Sequence, residues 1–172
     1  MKSLGVTATL LGAMLVAGSA QAAGGPYFAA QGALADVDGF DEGLALTATV
    51  GMPAGTAAPN LAFEGELGLS LIDPQRDTVA GDVEASYWYL AGFGVYNLPL
   101  NNGWALRGKL GIGYLDTEVR SPGGNVADDS DLEAMLGVGM TIPVNSTMRF
   151  ITEYTRIEAD IGHLSAGVQF DF

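Results

Sequence analysis

The chain has no cysteine, few charges and very few positive ones. Without a thiol there is no disulfide framework, lipid-modified cysteine or thiolate metal site. Charged residues make up 16% of the sequence, well below the roughly 25% typical of soluble domains, so a water-exposed surface built from it would be poorly solvated. Only 7 Lys and Arg stand against 20 Asp and Glu, a formal net charge of −13 that disfavours nucleic acid and other polyanions as partners. No run after the N-terminal segment approaches the 18 consecutive apolar residues of a membrane-spanning helix. Zinc clusters, phosphate loops and nucleotide fingerprints are also missing, so no cofactor is expected.

The N-terminal segment reads as an export signal. Met1-Lys2-Ser3 is a short cationic start, Leu4 to Ala17 a mostly apolar run, and Ala20-Gln21-Ala22 a small-residue cleavage site. Residues 1–22 are therefore expected to be a signal peptide and residues 23–172 a single domain.

That domain is rich in glycine, 25 in the whole chain, and its apolar residues alternate with period two. The clearest case is the last segment, where Leu164, Ala166, Val168, Phe170 and Phe172 share one strand face and Ser165, Gly167, Gln169 and Asp171 the other. Seven further segments alternate, over 26–34, 44–52, 61–71, 86–96, 104–114, 132–142 and 148–155. In the fourth, the apolar phase is read as Tyr87, Tyr89, Ala91, Phe93 and Val95, with Leu90 an exception. Uncharged turns, 53–60, 97–103 and 143–147, alternate with acidic loops, 36–43, 73–82, 116–131 and 158–163, which hold the bulk of the net charge. Eight such strands predict an all-β, eight-stranded antiparallel up-and-down transmembrane β-barrel, because only a closed sheet leaves no backbone edge unpaired in lipid.

Periodicity alone does not say which face points inward, since soluble barrels alternate too. The polar phase is mostly Gly, Ala, Ser and Thr, which suits a narrow packed lumen. Aromatics near the strand ends form two expected girdles, Phe63, Trp104, Phe150, Phe170 and Phe172 at one end and Tyr87, Tyr89, Tyr114 and Tyr154 at the other.

The ending Ser165-x-Gly167-x-x-Phe170-x-Phe172 resembles the C-terminal assembly signal of bacterial outer-membrane barrels. With the eight segments, it makes the chain similar to the small eight-stranded outer-membrane barrels, the group holding the transmembrane domain of outer membrane protein A, outer membrane protein X and the opacity proteins. The resemblance implies integral insertion in the bacterial outer membrane, recognition of the last strand by the barrel assembly machinery, and contact with outer-membrane lipid and lipopolysaccharide. It also implies uncharged turns at the periplasm and acidic loops outside.

Charges on the polar phase carry the functional information. Glu64, Glu66, Glu153 and Asp171 stand against Arg107, Lys109 and Arg149, and residue counting puts Glu64 and Glu66 level with Arg107 and Lys109. In so narrow a lumen these read as an ion-pair plug. The alternative is the charged constriction of a narrow, porin-like channel. A third reading is enzymatic: His163-x-Ser165 has the spacing of the lipid A deacylases, but those carry an acidic residue after it, whereas here only Asp171 follows, at the far end of the strand. Asp128, Asp129 and Asp131, like the run from Asp36 to Glu42, have oxygen donors for a divalent cation but not the full spacing of a calcium loop. The sequence therefore points to a non-enzymatic surface or envelope protein with short acidic loops.

Deleting Phe172 should sharply reduce the heat-modifiable folded form in the membrane fraction while export continues. Wild-type levels of that form would refute the assembly role of the terminal aromatic pair.

Overall fold

A computed structural model of the chain describes residues 25–78, 81–121 and 124–172, with the side chains of 76–82 and 121–128 outside that description. The expected signal peptide, 1–22, lies outside the described residues. Nine strands run in chain order: β1 (Tyr27–Val37), β2 (Gly43–Pro53), β3 (Leu61–Ile72), β4 (Gln75–Thr78), β5 (Gly81–Pro99), β6 (Ala105–Ser121), β7 (Gly124–Pro143), β8 (Met148–Glu158) and β9 (Ile161–Asp171). Eight of them form the wall, in the order β3-β2-β1-β9-β8-β7-β6-β5, and pairing of β3 with β5 closes the ring. Every neighbour is antiparallel, and the first and last strands meet in register, Phe28 opposite Phe170 and Leu34 opposite Leu164.

The wall is turned inside out relative to a water-soluble barrel. Leu132, Ile112 and Leu110 are 75%, 68% and 67% exposed on its outside, alongside Leu136, Val138 and Leu164. At roughly 25 cal/mol per Å² such a surface is untenable in water and natural in hydrocarbon. Inside, the polar phase packs the lumen. Gly68 is paired with Tyr89 on the neighbouring strand, and a Cβ there would lie 2.2 Å from the Tyr89 ring, so the glycine is what admits the phenol.

Two expectations are corrected. The apolar phase of β5 is the reverse of the expected one: Tyr87, Tyr89, Ala91, Phe93 and Val95 are buried in the lumen, and Trp88, Leu90, Tyr96 and Leu98 face outward. Both phases of this strand are apolar enough for lipid, and the lumen claims the one whose hydroxyls its buried charges need. The outer girdle is accordingly Trp88, Tyr114 and Tyr154, with the Trp88 and Tyr114 rings 5.7 Å apart.

The expected acidic loop over 116–131 is also largely strand. β6 and β7 are 17 and 20 residues long, whereas β8 and β9 have 11 each. β7 pairs with β8 only from Leu136 onward, so its residues before that pair with β6 alone. With β5 and the short β4, whose Gln75–Thr78 pair with β5, this hairpin forms a sheet that stands beyond the ring. Its described side chains are mostly half-exposed or exposed and include Glu84, Asp116, Glu118, Arg120, Asp129 and Asp131, so the alternation by which a membrane strand is recognised is lost here.

The turns at the other end, next to both terminal strands, carry no charged residue over 54–60, 100–104 and 144–147. One of them needs a left-handed backbone at Asn102 and Gly103, φ 68° and 78°, the conformation these two residue types tolerate.

Because the chain lacks cysteine, single replacements report the phase of β5 directly. A spin label on Trp88→Cys or Leu90→Cys should be accessible to lipid-soluble oxygen, and one on Ala91→Cys should be protected. Equal accessibility at 90 and 91 would contradict the inward placement of the tyrosines.

Candidate functional site

β3 sends Glu64 and Glu66 to the lumen two residues apart, and β6 sends Arg107 and Lys109 in the same way. The two strands are separated only by β5. Glu153 arrives from β8, across β7, where the polar phase is glycine. A Cβ on Gly137 would lie 2.9 Å from Lys109 Cε, and one on Gly139 3.0 Å from Glu153 Cβ, so these bare positions give the long side chains their path.

The five groups form one network. Arg107 Nη2 donates to both Glu64 oxygens at 2.7 Å, and its Nε lies 2.8 Å from Glu153 Oε2. Lys109 Nζ bridges Glu66 Oε2 at 2.9 Å and Glu153 Oε1 at 2.5 Å. Hydroxyls occupy the remaining acceptor sites: Tyr27 donates to Glu64 at 2.5 Å, Tyr89 to Glu66 at 2.8 Å, and Thr49 and Thr155 to Glu66 and Glu153 at 3.2 Å. The ammonium of Lys109 also sits 4.3 Å from the centroid of the Phe93 ring. None of the five charged residues is more than 5% exposed. Ionised groups so far from water persist only when each is paired, and here both oxygens of Glu64 and Glu66 and Oε1 of Glu153 accept hydrogen bonds, while Glu153 Oε2 and Arg107 Nε face each other as an ion pair outside hydrogen-bond geometry.

Arg149 and Asp171, expected among the lumen charges, pair with each other instead, 2.8 Å apart at the terminal mouth, with Gln169 also donating to Asp171. Their side chains are 39% and 20% exposed. A cavity of about 220 Å³ opens at this mouth and reaches inward as far as Arg107. At the opposite end the lumen is apolar: Val37, Leu115, Met135, Ile157 and Ile161 are buried together, with Phe40 packed on them.

His163 and Ser165 share the lumen face, but the arrangement is not that of a nucleophile and its base. His163 Nε2 lies 2.5 Å from the Tyr87 hydroxyl, and the Ser165 hydroxyl is shared between Gln31 Oε1 at 3.0 Å and the Glu153 carbonyl at 3.1 Å. Both are buried. Gly167 packs against β1, where a Cβ would meet the Ala30 carbonyl oxygen, and Phe170 and Phe172 face outward. Asp129 and Asp131 are exposed on the protruding part of β7, while the Asp128 side chain lies outside the described residues. Among the described residues, no three His, Cys, Asp or Glu side chains are placed to hold a metal ion. Glu158, at the outer end of β8, titrates above the ordinary carboxylate range: partial burial raises it most, and Glu133, Asp160, Asp129 and Asp131 add negative charge around it.

Sequence reasoning missed the hydroxyl donors. Tyr27 was legible as an aromatic on the polar phase of β1, whereas Tyr89 was hidden by the double apolar character of β5.

Removing Arg107 as a charge, by Arg107→Met, leaves three buried carboxylates facing one ammonium and should cost about 3–5 kcal/mol in urea unfolding. Arg149→Met at the solvated mouth should cost about 0–1 kcal/mol. Equal losses would mean that the lumen groups are as well solvated as the mouth.

The comparisons with known proteins agree with this architecture. Among curated protein sequences none matches significantly. Solved structures do: Neisserial surface protein A, at 17% identity and a TM-score of 0.64, covers 86% of this chain and 97% of its own. Ail, the attachment invasion locus protein of Yersinia pestis, solved with the heparin analogue sucrose octasulfate, matches at 14% identity and a TM-score of 0.57 over 86% and 96%. The N-terminal β-barrel domain of Pseudomonas aeruginosa OprF matches at 10% identity and a TM-score of 0.57 over 87% and 99%. Identities this low speak for the fold alone. The family described as the outer membrane protein beta-barrel domain matches residues 6–172, and the chain belongs to that family, as an integral protein of the bacterial outer membrane.

Proposed function

We propose that this protein is a non-enzymatic, non-conducting surface barrel, sealed by its lumen charges and acting through the acidic sheet that stands beyond the membrane. The observation that carries the reading is the burial of Glu64, Glu66, Glu153, Arg107 and Lys109, each at most 5% exposed, across a lumen whose outer end is closed by apolar side chains. A conducting pore needs charged groups lining water, where ions bind and leave; here the charges bind each other. The cavity at the terminal mouth is then a blind cup ending at Arg107.

With the lumen closed, contact with the outside falls to the protruding strands. Their carboxylates, Glu118, Asp129, Asp131 and Glu133 among them, favour cationic partners. The Ail structure holds a sulfated polyanion, a ligand class that this acidic rim repels. Divalent cations bridging these carboxylates to lipopolysaccharide phosphates fit the same charge logic. The last strand, with Ser165, Gly167, Phe170 and Phe172, is the segment we assign to the barrel assembly machinery.

Planar-bilayer recording on the purified protein, paired with a variant in which 117–130 is replaced by a tight turn, tests both halves. Wild type should show no stepwise conductance, and the shortened variant should remain heat-modifiable while losing adhesion to host or neighbouring cells. Reproducible single-channel steps altered by Arg107→Ala would overturn the seal, and unchanged surface behaviour of the shortened variant would overturn the role of the sheet.

A further inference from the structure

The outward face where β8, β9 and β1 run side by side carries charge that its own chain leaves unpaired. Rows of paired residues cross it. Near the outer end Arg156 stands opposite Gly162, and Gly162 opposite Asp36. Below them Tyr154, Leu164 and Leu34 make a second row, and Thr152, Ala166 and Gly32 a third. A cation therefore lies on the β8 side of the central strand and a carboxylate on the β1 side. Glu42 joins that carboxylate: with Asp36, Leu34, Leu164, Tyr154 and Gly162 it lines a notch of about 220 Å³. Arg156 is no part of that lining. Arg156, Asp36 and Glu42 are all exposed, and among the described residues none of them forms an ion pair; the Arg156 guanidinium donates only to the Ala159 carbonyl.

Charge placed in this way is complementary to itself. A two-fold axis along the membrane normal, passing in front of β9, sets β8 of one copy against β1 of the other, so every contact is made twice. Arg156 of each copy then faces the carboxylate-lined notch of its partner. Across two interstrand spacings, roughly 10 Å, the tilt of the strands makes a row climb by roughly 6 Å, a height that an extended arginine spans. The phosphates of lipopolysaccharide would meet two carboxylates here, whereas a guanidinium meets them as a counterion.

The apolar part of the face suits the same neighbour. Two convex barrels touch over only a few strands, and small residues along the line of contact bring the walls closer. The third row is small throughout, and the Thr152 hydroxyl is spent on the Ser165 carbonyl at 3.1 Å. A Cβ on Gly32 would meet no atom within 4 Å, so packing inside its own chain does not require the glycine. Gly92, on β5 across the barrel, is equally free, but Leu90 and Ile112 stand exposed beside it, and Arg120 on that wall is already paired with Glu118.

We propose that this face is the contact between two copies of the chain. In the dimer Arg156 of each copy enters the notch of the other and donates to Asp36 and Glu42, while Leu164 and Ala166 meet their own counterparts at the axis. The contact is separate from the sealed lumen and from the protruding sheet.

Because the chain has no cysteine, an Ala166→Cys variant places a single thiol at the axis, where it meets only its own copy. Oxidation with copper phenanthroline in intact outer membranes should give a disulfide-linked dimer of the full folded chain, and Leu90→Cys, across the barrel, should stay monomeric. On the Ala166→Cys background, Arg156→Glu alone, or Asp36→Arg with Glu42→Arg, should lower the dimer fraction about tenfold, the scale of two exposed ion pairs. Co-expressing these two variants should restore it as a mixed dimer, identified by an epitope tag on one of them. Equal cross-linking at positions 90 and 166 would overturn the proposal. Failure of the mixture to rescue, with both variants heat-modifiable, would overturn it in favour of a bridge from Arg156 within its own chain. A dimer found in detergent but absent from membranes that contain lipopolysaccharide would overturn it in favour of lipopolysaccharide on this face.

Discussion

Everything in this molecule follows from the need to pair every backbone N–H and C=O inside hydrocarbon. An open sheet of eight strands would leave two unpaired edges in lipid, each group costing several kcal/mol. The β1–β9 pairing removes those edges, with eleven registered residue pairs from Tyr27–Asp171 to Val37–Ile161. Closure at this strand number fixes the bore, and the bore is just wide enough for side chains. A narrow interior then dictates which residues can stand inside.

That interior is divided along the barrel axis. Toward the terminal mouth it is ionic, with two cations and three carboxylates held in place by tyrosine and threonine hydroxyls. Toward the outside it is apolar, closed by Leu115, Met135, Ile157 and Ile161. Between the two regions sit His163 and Tyr87, hydrogen-bonded to each other. The ionic half depends on glycine as much as on charge, because Gly68, Gly137 and Gly139 supply the volume that Tyr89, Lys109 and Glu153 occupy. Coulombic attraction decides which groups meet, and the missing side chains decide that they can.

Beyond the membrane the constraint changes sign. β5, β6 and β7 continue past the ring because water can solvate an unpaired strand edge, and their charges keep the extension from associating along that edge. The same strands are thus hydrocarbon-facing in one half and acidic in the other. The boundary falls near Trp88, Tyr114 and Leu132, where the outward apolar series ends and Asp116 and Ser130 begin.

The sequence by itself determined the alternation, and with it the strand count, the order of uncharged and acidic connections, and the residence of Glu64, Glu66, Arg107, Lys109 and Glu153 on one phase. Period two is a local property of a strand whose two faces meet different solvents, so it can be read residue by residue. Only the closed structure decided the phase of β5, whose faces are both apolar, because that choice turns on hydroxyl donors reaching carboxylates on another strand. It alone decided that Arg149 and Asp171 leave the lumen set, since their height at the mouth depends on the stagger of β8 against β9. The length of the β6–β7 hairpin and the notch at Gly162 were tertiary outcomes too. Both rest on which neighbour a residue has across the sheet, and that relation links positions far apart in the chain.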